Sequence, residues 1–434
     1  MIKGKMILTV VLINLSSAII SQGEPPAPQK PDTLAPPGFI KTELNSGLLF
    51  FRENSRESTV SSLSQYSEQR LNYHAYYDFG INSWNLGEDK QEIINLDIGA
   101  GPIYATGNSK MVNQALTSKL NDKVYGAGLF ADLNYSSRFY YDDKNYVLVE
   151  TEGYGRFEKI KIHAVGNTVT NDGTGSVSTD EKYLDNRLRY GINSRAGWGF
   201  GKLNPVNYFM EAEYLFNKYY SGKLFSPTEK QQLAGFIADI KNNRSPRAGH
   251  SDEKELEQVK NFLKKQYLLR PPEEMEDFWR YGEFVPRYSG KRVEFGPFFN
   301  YYSREPDFIY GGYAKYESEK YRNNKWNTDF SSELSYNWYK QRDWFLWQTG
   351  ILFDYYRNLR SRYSFGMKYI PALIVNEFKD IKPLQHVLIP YIEYFLQLNE
   401  KQRLDLTFSY KITGENDFFL KGPEFSLAFY SSRY

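Results

Sequence analysis

Between Arg403 and Thr413 the chain alternates. Leu404, Leu406, Phe408, Tyr410 and Ile412 fall on one face, and Arg403, Asp405, Thr407, Ser409 and Lys411 on the other. A period of two is that of a strand with one apolar and one polar side. The pattern recurs at 71–81, where Leu71, Tyr73, Ala75, Tyr77, Phe79 and Ile81 oppose Asn72, His74, Asp78, Gly80 and Asn82. Bounded by turn residues, it predicts strands over 39–51, 71–81, 92–103, 126–140, 146–162 and 185–200. A second block runs over 292–302, 308–319, 326–339, 344–356, 362–373, 387–398, 403–413 and 424–433. These segments are long enough to cross a bilayer, for which about 9–11 strand residues suffice. Their apolar faces hold Tyr, Phe and Trp more than Val and Ile. The pattern therefore predicts an all-β fold: a transmembrane, antiparallel, up-and-down β-barrel, greasy outside and wet inside. The count is about 14 strands, with 12 as the alternative if two short segments are misassigned.

Parity supports the larger number. Single-chain bacterial barrels have an even strand count, short periplasmic turns and longer outer loops. With the C-terminus in the periplasm, 399–402 and 142–145 become tight periplasmic turns, and 414–422 becomes an outer loop. The stretches 105–125 and 163–184 then fall outside as long loops. The weak segment 39–51 is needed, because without it the strand at 71–81 would start outside the cell.

Between the blocks period two stops, and 207–220, 227–243 and 252–269 read as helices. Ser226-Pro227-Thr228-Glu229 is a capping box with proline at the first helical position. Leu233, Ile237 and Ile240 share one helical face, as do Leu256, Val259, Phe262 and Leu263. Residues 204–282 thus form a small helical insert, periplasmic by the parity count, between barrel parts 39–203 and 283–434.

The N-terminus adds an address. Lys3 and Lys5 precede an apolar run over 6–13, and small residues near Ser16-Ser17-Ala18 and Ser21 offer cleavage sites, so 1–21 reads as a signal peptide. Residues 22–38, with six prolines from Pro25 to Pro37, read as an extended periplasmic tether. The last strand alternates Phe425, Leu427 and Phe429 with Ser426 and Ala428, and the chain stops at Tyr434. It resembles the aromatic-terminated strand that barrel assembly machinery reads.

Composition agrees. A mean hydropathy of −0.61 is that of a polar chain, yet aromatics reach 17%, as expected when every second strand residue meets lipid and aromatic girdles mark the interfaces. A net charge of +2 carries no nucleic-acid footprint, and zero cysteines exclude disulfides and thiol chemistry. The four histidines, His74, His163, His250 and His386, show no metal-ligand spacing, and no cofactor motif is present.

Gly197-Trp198-Gly199-Phe200-Gly201-Lys202-Leu203 leaves a strand and is followed by Val206, Ala212, Leu215 and the capped helix. This run resembles an uncharacterised family of bacterial outer-membrane β-barrel proteins with alternating glycines before a helical insert. That family more often has Arg where this chain has Lys202. The similarity spans roughly the middle fifth of the chain. It implies fold class and an outer-membrane compartment, and no activity.

With the apolar face toward lipid, Glu150, Glu152, Arg156 and Glu158 point into the lumen from one strand, and Arg187, Arg189 and Arg195 from the next. Antiparallel neighbours of this kind are expected to form a ladder of ion pairs that fills the lumen and could filter charged solutes. Structural filling is the stronger expectation, since pairing cancels most of the field. Gly191, Gly197, Gly199 and Gly201 share the inward face, leaving room for strand curvature or for the insert to approach. No catalytic set emerges. His74 and Asp78 are a thinkable base–orienter pair without a nucleophile, so a barrel hydrolase is a remote reading. Trp84, Trp326, Trp338, Trp344 and Trp347, near strand ends, are expected as interfacial anchors. The expected role is a channel or transport barrel for small solutes. The alternative is an outer-membrane anchor or assembly protein that binds a periplasmic partner through its insert.

Overall fold

The structure, a computed structural model, describes residues 37–60, 64–244, 251–271, 275, 279, 286–304, 307–340, 342–375, 383–399, 401–414 and 421–433. The leader and nearly all of the proline-rich segment lie outside the described residues.

Fourteen antiparallel strands close into one barrel in sequence order, with β1 paired to β14. The tall half comprises β1 (Phe39–Val60), β2 (Ser64–Leu86), β3 (Lys90–Asn113), β4 (Leu116–Tyr140), β5 (Asn145–Thr170) and β6 (Ser176–Pro205). The short half comprises β7 (Tyr288–Tyr302), β8 (Phe308–Asn323), β9 (Trp326–Tyr339), β10 (Arg342–Asn358), β11 (Ser361–Ile374), β12 (Leu384–Gln397), β13 (Gln402–Thr413) and β14 (Gly422–Arg433). Closure leaves no edge within the shared belt, which is what a wall facing hydrocarbon requires. Above that belt β6 stays paired with β5 on one side only: on the other, β7 reaches only from Tyr288 to Tyr302, which lies opposite Gly191. The exposed stretch Ser176–Tyr190 carries Asp180, Glu181, Lys182, Asp185 and Arg187, charges of the kind that keep a strand edge from pairing with another chain.

Alternation sets the two faces. Phe157, Leu188, Phe295, Phe330 and Phe408 are exposed on the outside. Glu294, Arg138, Asn327 and Ser364 are buried within the lumen. The expected loops at 105–125 and 163–184 are instead strand: β3 and β4 continue to a turn at 114–115, and β5 and β6 to one at 171–175.

Among the described residues, three helices lie in the β6–β7 connection: α1 (Asn207–Tyr219), α2 (Pro227–Lys241) and α3 (Asp252–Tyr267). The capping box at α2 is formed. The Glu229 N–H donates to Ser226 Oγ at 3.2 Å, and the Ser226 N–H donates to Glu229 Oε2 at 2.8 Å. In α3, Asp252, Glu253 and Glu255 open the first turn and Lys264 and Lys265 close the last, matching the helix dipole. Leu215, Phe216, Leu233, Ile237, Val259 and Leu263 form one buried core with Phe39, Trp84 and Leu86 of the barrel wall. The insert is therefore packed onto the barrel end that carries the turns at 87–89, 141–144, 324–325 and 359–360. Trp84 belongs to this seal, so it is not the lipid anchor expected of it, whereas Trp326, Trp338 and Trp347 are exposed on the outside.

Candidate functional site

The lumen holds an unbroken run of alternating charge. Glu333 accepts from Arg195 at 3.0 Å, and Arg195 donates to Glu150 at 3.1 Å. Arg138 links Glu150 at 2.6 Å to Glu294 at 2.5 Å. Arg292 joins Glu294 at 3.3 Å to Glu317 at 2.5 Å, and Lys315 ends the run 2.9 Å from Glu317. Four carboxylates and four cations balance, crossing strands β4 to β9. Glu294 is fully buried and also accepts from Tyr146 Oη at 3.0 Å. Charges this deep persist because each has a partner; removing one leaves its neighbour desolvated.

Of the predicted ladder, one rung forms as expected, Glu150 with Arg195. Glu152 faces Asn193, and Arg156 stands opposite Arg189, cation to cation. Arg156 turns away to grip Asp132 with two bonds of 2.7 Å. Arg187 faces Glu158 in register and donates to Asp185 at 2.7 Å. The two columns are thus replaced by a chain running on into β7–β9. Arg138, Arg292, Glu294, Lys315, Glu317 and Glu333 escaped sequence reasoning because the insert separates β6 from β7 along the chain. Their inward parity on β4, β7, β8 and β9 was the available signal. Beside Arg195 lies a polar pocket of about 160 Å³, bordered by Glu150, Glu152, Tyr313 and Glu333.

The inward glycines serve the wall. A Cβ on Gly199 would lie 2.1 Å from the Tyr146 ring, and one on Gly191 would lie 2.6 Å from Tyr154. A Cβ on Gly197 would lie 2.2 Å from the Phe295 carbonyl, and Gly201 takes φ +98° where β6 bends toward α1. Tyrosine rings and neighbouring backbone, not the insert, occupy that space, as when an aromatic covers a strand glycine. His74 stacks on Phe51 at 4.3 Å, lies 2.9 Å from Tyr76 Oη and 3.4 Å from Glu53. Those contacts, rather than one with Asp78, set its orientation. No group of three His, Cys, Asp or Glu placed to hold a metal occurs among the described residues.

The insert is latched to the mouth by polar contacts around its apolar core. Asn242 donates to the Gly38 carbonyl at 2.9 Å and accepts from the Ile40 N–H at 2.8 Å, extending the start of β1. Tyr321 of β8 donates to Glu213 of α1 at 2.5 Å. The Arg287 N–H donates to Asn207 Oδ1 at 2.8 Å, and its guanidinium lies 3.8 Å from the centre of the Tyr356 ring. α1 itself meets β1 through the Tyr208 and Phe39 rings, 5.6 Å apart, and β8 through Glu213. Inside the insert Lys241 pairs with Glu211 at 2.9 Å, both buried. Burial pushes the Lys241 ammonium down to about 8 and the Glu211 carboxyl above its usual range.

No protein-family model matches the chain, and no curated protein aligns with it. Solved structures similar to it include the translocator domain of the autotransporter NalP from Neisseria meningitidis, at 9% identity and TM-score 0.28, with 99% of this chain and 98% of that one covered. The outer membrane protease OmpT from Escherichia coli gives 8% identity and TM-score 0.29, with 92% and 97% covered. A deletion mutant of the TodX monoaromatic hydrocarbon channel gives 7% and 0.32, with 92% and 90% covered. At such identities and scores these neighbours carry no argument, and the barrel rests on its own strand pairing.

Proposed function

We propose that the chain is a bacterial outer-membrane barrel that passes small polar solutes, with its insert acting as a plug at the periplasmic mouth. The observation that carries this is the insert's core: its apolar face is spent on Phe39, Trp84 and Leu86 of the barrel rim. A docking module would offer that face to a partner. The compartment is supported by an outward aromatic belt around a charged interior, the arrangement lipid selects, and by the likeness of the Gly197–Gly201 run to outer-membrane barrels. The helices sit at the end whose described turns are all short, as periplasmic turns are in outer-membrane barrels. Fourteen strands enclose a narrower space than the 16–18 strands of open porins, so one small bundle suffices to cover it.

The test is single-channel recording in planar bilayers. The intact chain is expected to stay mostly closed, and a variant with 206–286 replaced by a short linker to conduct steadily. A silent deletion variant that still migrates as a folded, heat-modifiable barrel would overturn the plug.

A further inference from the structure

Successive outward rows of the tall half change character within a few residues. One paired row runs Leu48, Tyr77, Ala100, Leu129, Phe157 and Leu188. Two residues higher along the strands, Phe50 pairs with Ala75, Pro102 with Ala127, and Ala127 with Lys159. Higher again, Arg52, Tyr73, Tyr104, Tyr125 and Lys161 form one continuous row. Above that the outward positions include Lys123, His163 and Lys182. The acid on this face, Asp180, is taken by His163 at 2.7 Å.

The middle of these rows is a hollow. Small residues Ala75 and Pro102 form the floor of a trough of about 590 Å³, walled by Phe50, Tyr73, Tyr104, Tyr125 and Phe425. Arg52 borders it, with Nε buried and lacking a hydrogen-bond partner. Lys159 and Lys161 flank it across β4 on the other side, both exposed. An apolar slot facing hydrocarbon, with cations at its two sides on the level of a tyrosine girdle, has the chemistry of a lipid: chain below, anionic headgroup at the rim.

We propose that this trough is a binding site for a phosphorylated lipid of the outer leaflet, its acyl chain lying over Ala75 and Pro102 and its phosphate held at the rim, by Arg52 on one side or by Lys159 and Lys161 on the other. The inference rests on the outer-membrane reading and goes beyond it, since a barrel can sit in the membrane with no headgroup preference.

Native mass spectrometry of the full chain in uncharged detergent tests it, using phosphatidylglycerol and phosphatidylcholine of identical acyl chains. The wild type should retain the anionic lipid about tenfold better, a preference that collapses in high salt. The triple variant R52Q/K159Q/K161Q should retain both lipids alike. Ala75→Phe, which fills the slot and leaves the cations, should lower retention of the anionic lipid severalfold. Equal retention by the wild type, or a triple variant that keeps the preference, overturns the site. Displacement of the lipid by millimolar inorganic phosphate would reduce it to a bare phosphate site and also overturn it. Heat-modifiable migration of each sample reports separately on the barrel itself. If the triple variant does not fold, the salt-sensitive preference of the wild type decides alone.

Discussion

The two halves of the wall obey one rule inside and different rules outside. Both carry inward charges that pair, the chain from Lys315 to Glu333 running through tall and short strands alike, and the tall strands add inward apolar clusters such as Ala105, Val124, Ile160 and Ile162. The outward residues differ. Short strands end where their girdle ends, at Tyr301, Phe308, Tyr310 and Trp338. The tall strands pass the same girdle and go on with Lys110, Lys119, Lys123, Asn108 and Asn121 facing out. The barrel's height above the belt is therefore set by backbone pairing alone, and lipid selects apolar side chains only where it touches the wall. Solvent above the belt asks merely for β-compatible polar residues.

The largest effect should come from cutting the link between the halves. Glu294→Leu removes the carboxylate shared by Arg138 and Arg292, and stability against denaturant in lipid should fall by about 3–5 kcal/mol. An unchanged unfolding midpoint would mean the two halves hold together without that chain.

Next come paired substitutions on β5, read in the same assay. Phe157→Arg sits in the belt and should cost about 2–4 kcal/mol. Val165→Arg, on the same face and eight residues higher by sequence, should cost under about 0.5 kcal/mol. Equal costs would erase the boundary between belt and extension.

Within the insert, Lys241→Met should leave Glu211 buried without its partner and raise hydrogen exchange in α2 sharply. The double change with Glu211→Met should restore most of the protection, because two apolar side chains remove the desolvation that burial imposes. Asn242→Ala, which removes the latch to β1, should weaken docking by about 1–2 kcal/mol. That loss should show as faster proteolysis of the insert while the strands stay resistant.

The smallest effect is expected from shortening. Asn108 and Asn121 face each other across β3 and β4. Replacing 109–120 with a two-residue turn should leave folding and the lumen unchanged, with a stability change under about 0.5 kcal/mol. Loss of assembly would show that the extension is needed for the barrel below it.

This contrast also explains what was legible in the sequence. Strand number, closure and inward parity follow from alternation, because lipid writes an apolar residue at every second position of the belt. Helix limits came within two residues at each end, since Ser226-Pro227 and the acidic start of α3 mark their termini chemically. The extensions at 105–125 and 163–184 looked like loops because, with water on both sides, Lys and Asn replace Leu and Phe and the alternation loses its contrast. The charge chain was half visible. Glu150 and Arg195 are on adjacent hairpin strands, but Arg138 and Glu294 meet only once β7 returns beside β6 after the insert. Trp84 was misassigned because its place near a strand end says nothing about which face it takes.

The central claim is that hydrocarbon, not protein, covers the outward belt. The chain contains no cysteine, so single cysteines at Phe157, Glu158, Leu188, Phe295 and Val165 can each carry a fluorophore in proteoliposomes. Lipids bearing a nitroxide at mid-chain should quench the probes at Phe157, Leu188 and Phe295 strongly, and those at Glu158 and Val165 weakly. Uniform quenching, or none at the belt positions, would contradict the claim.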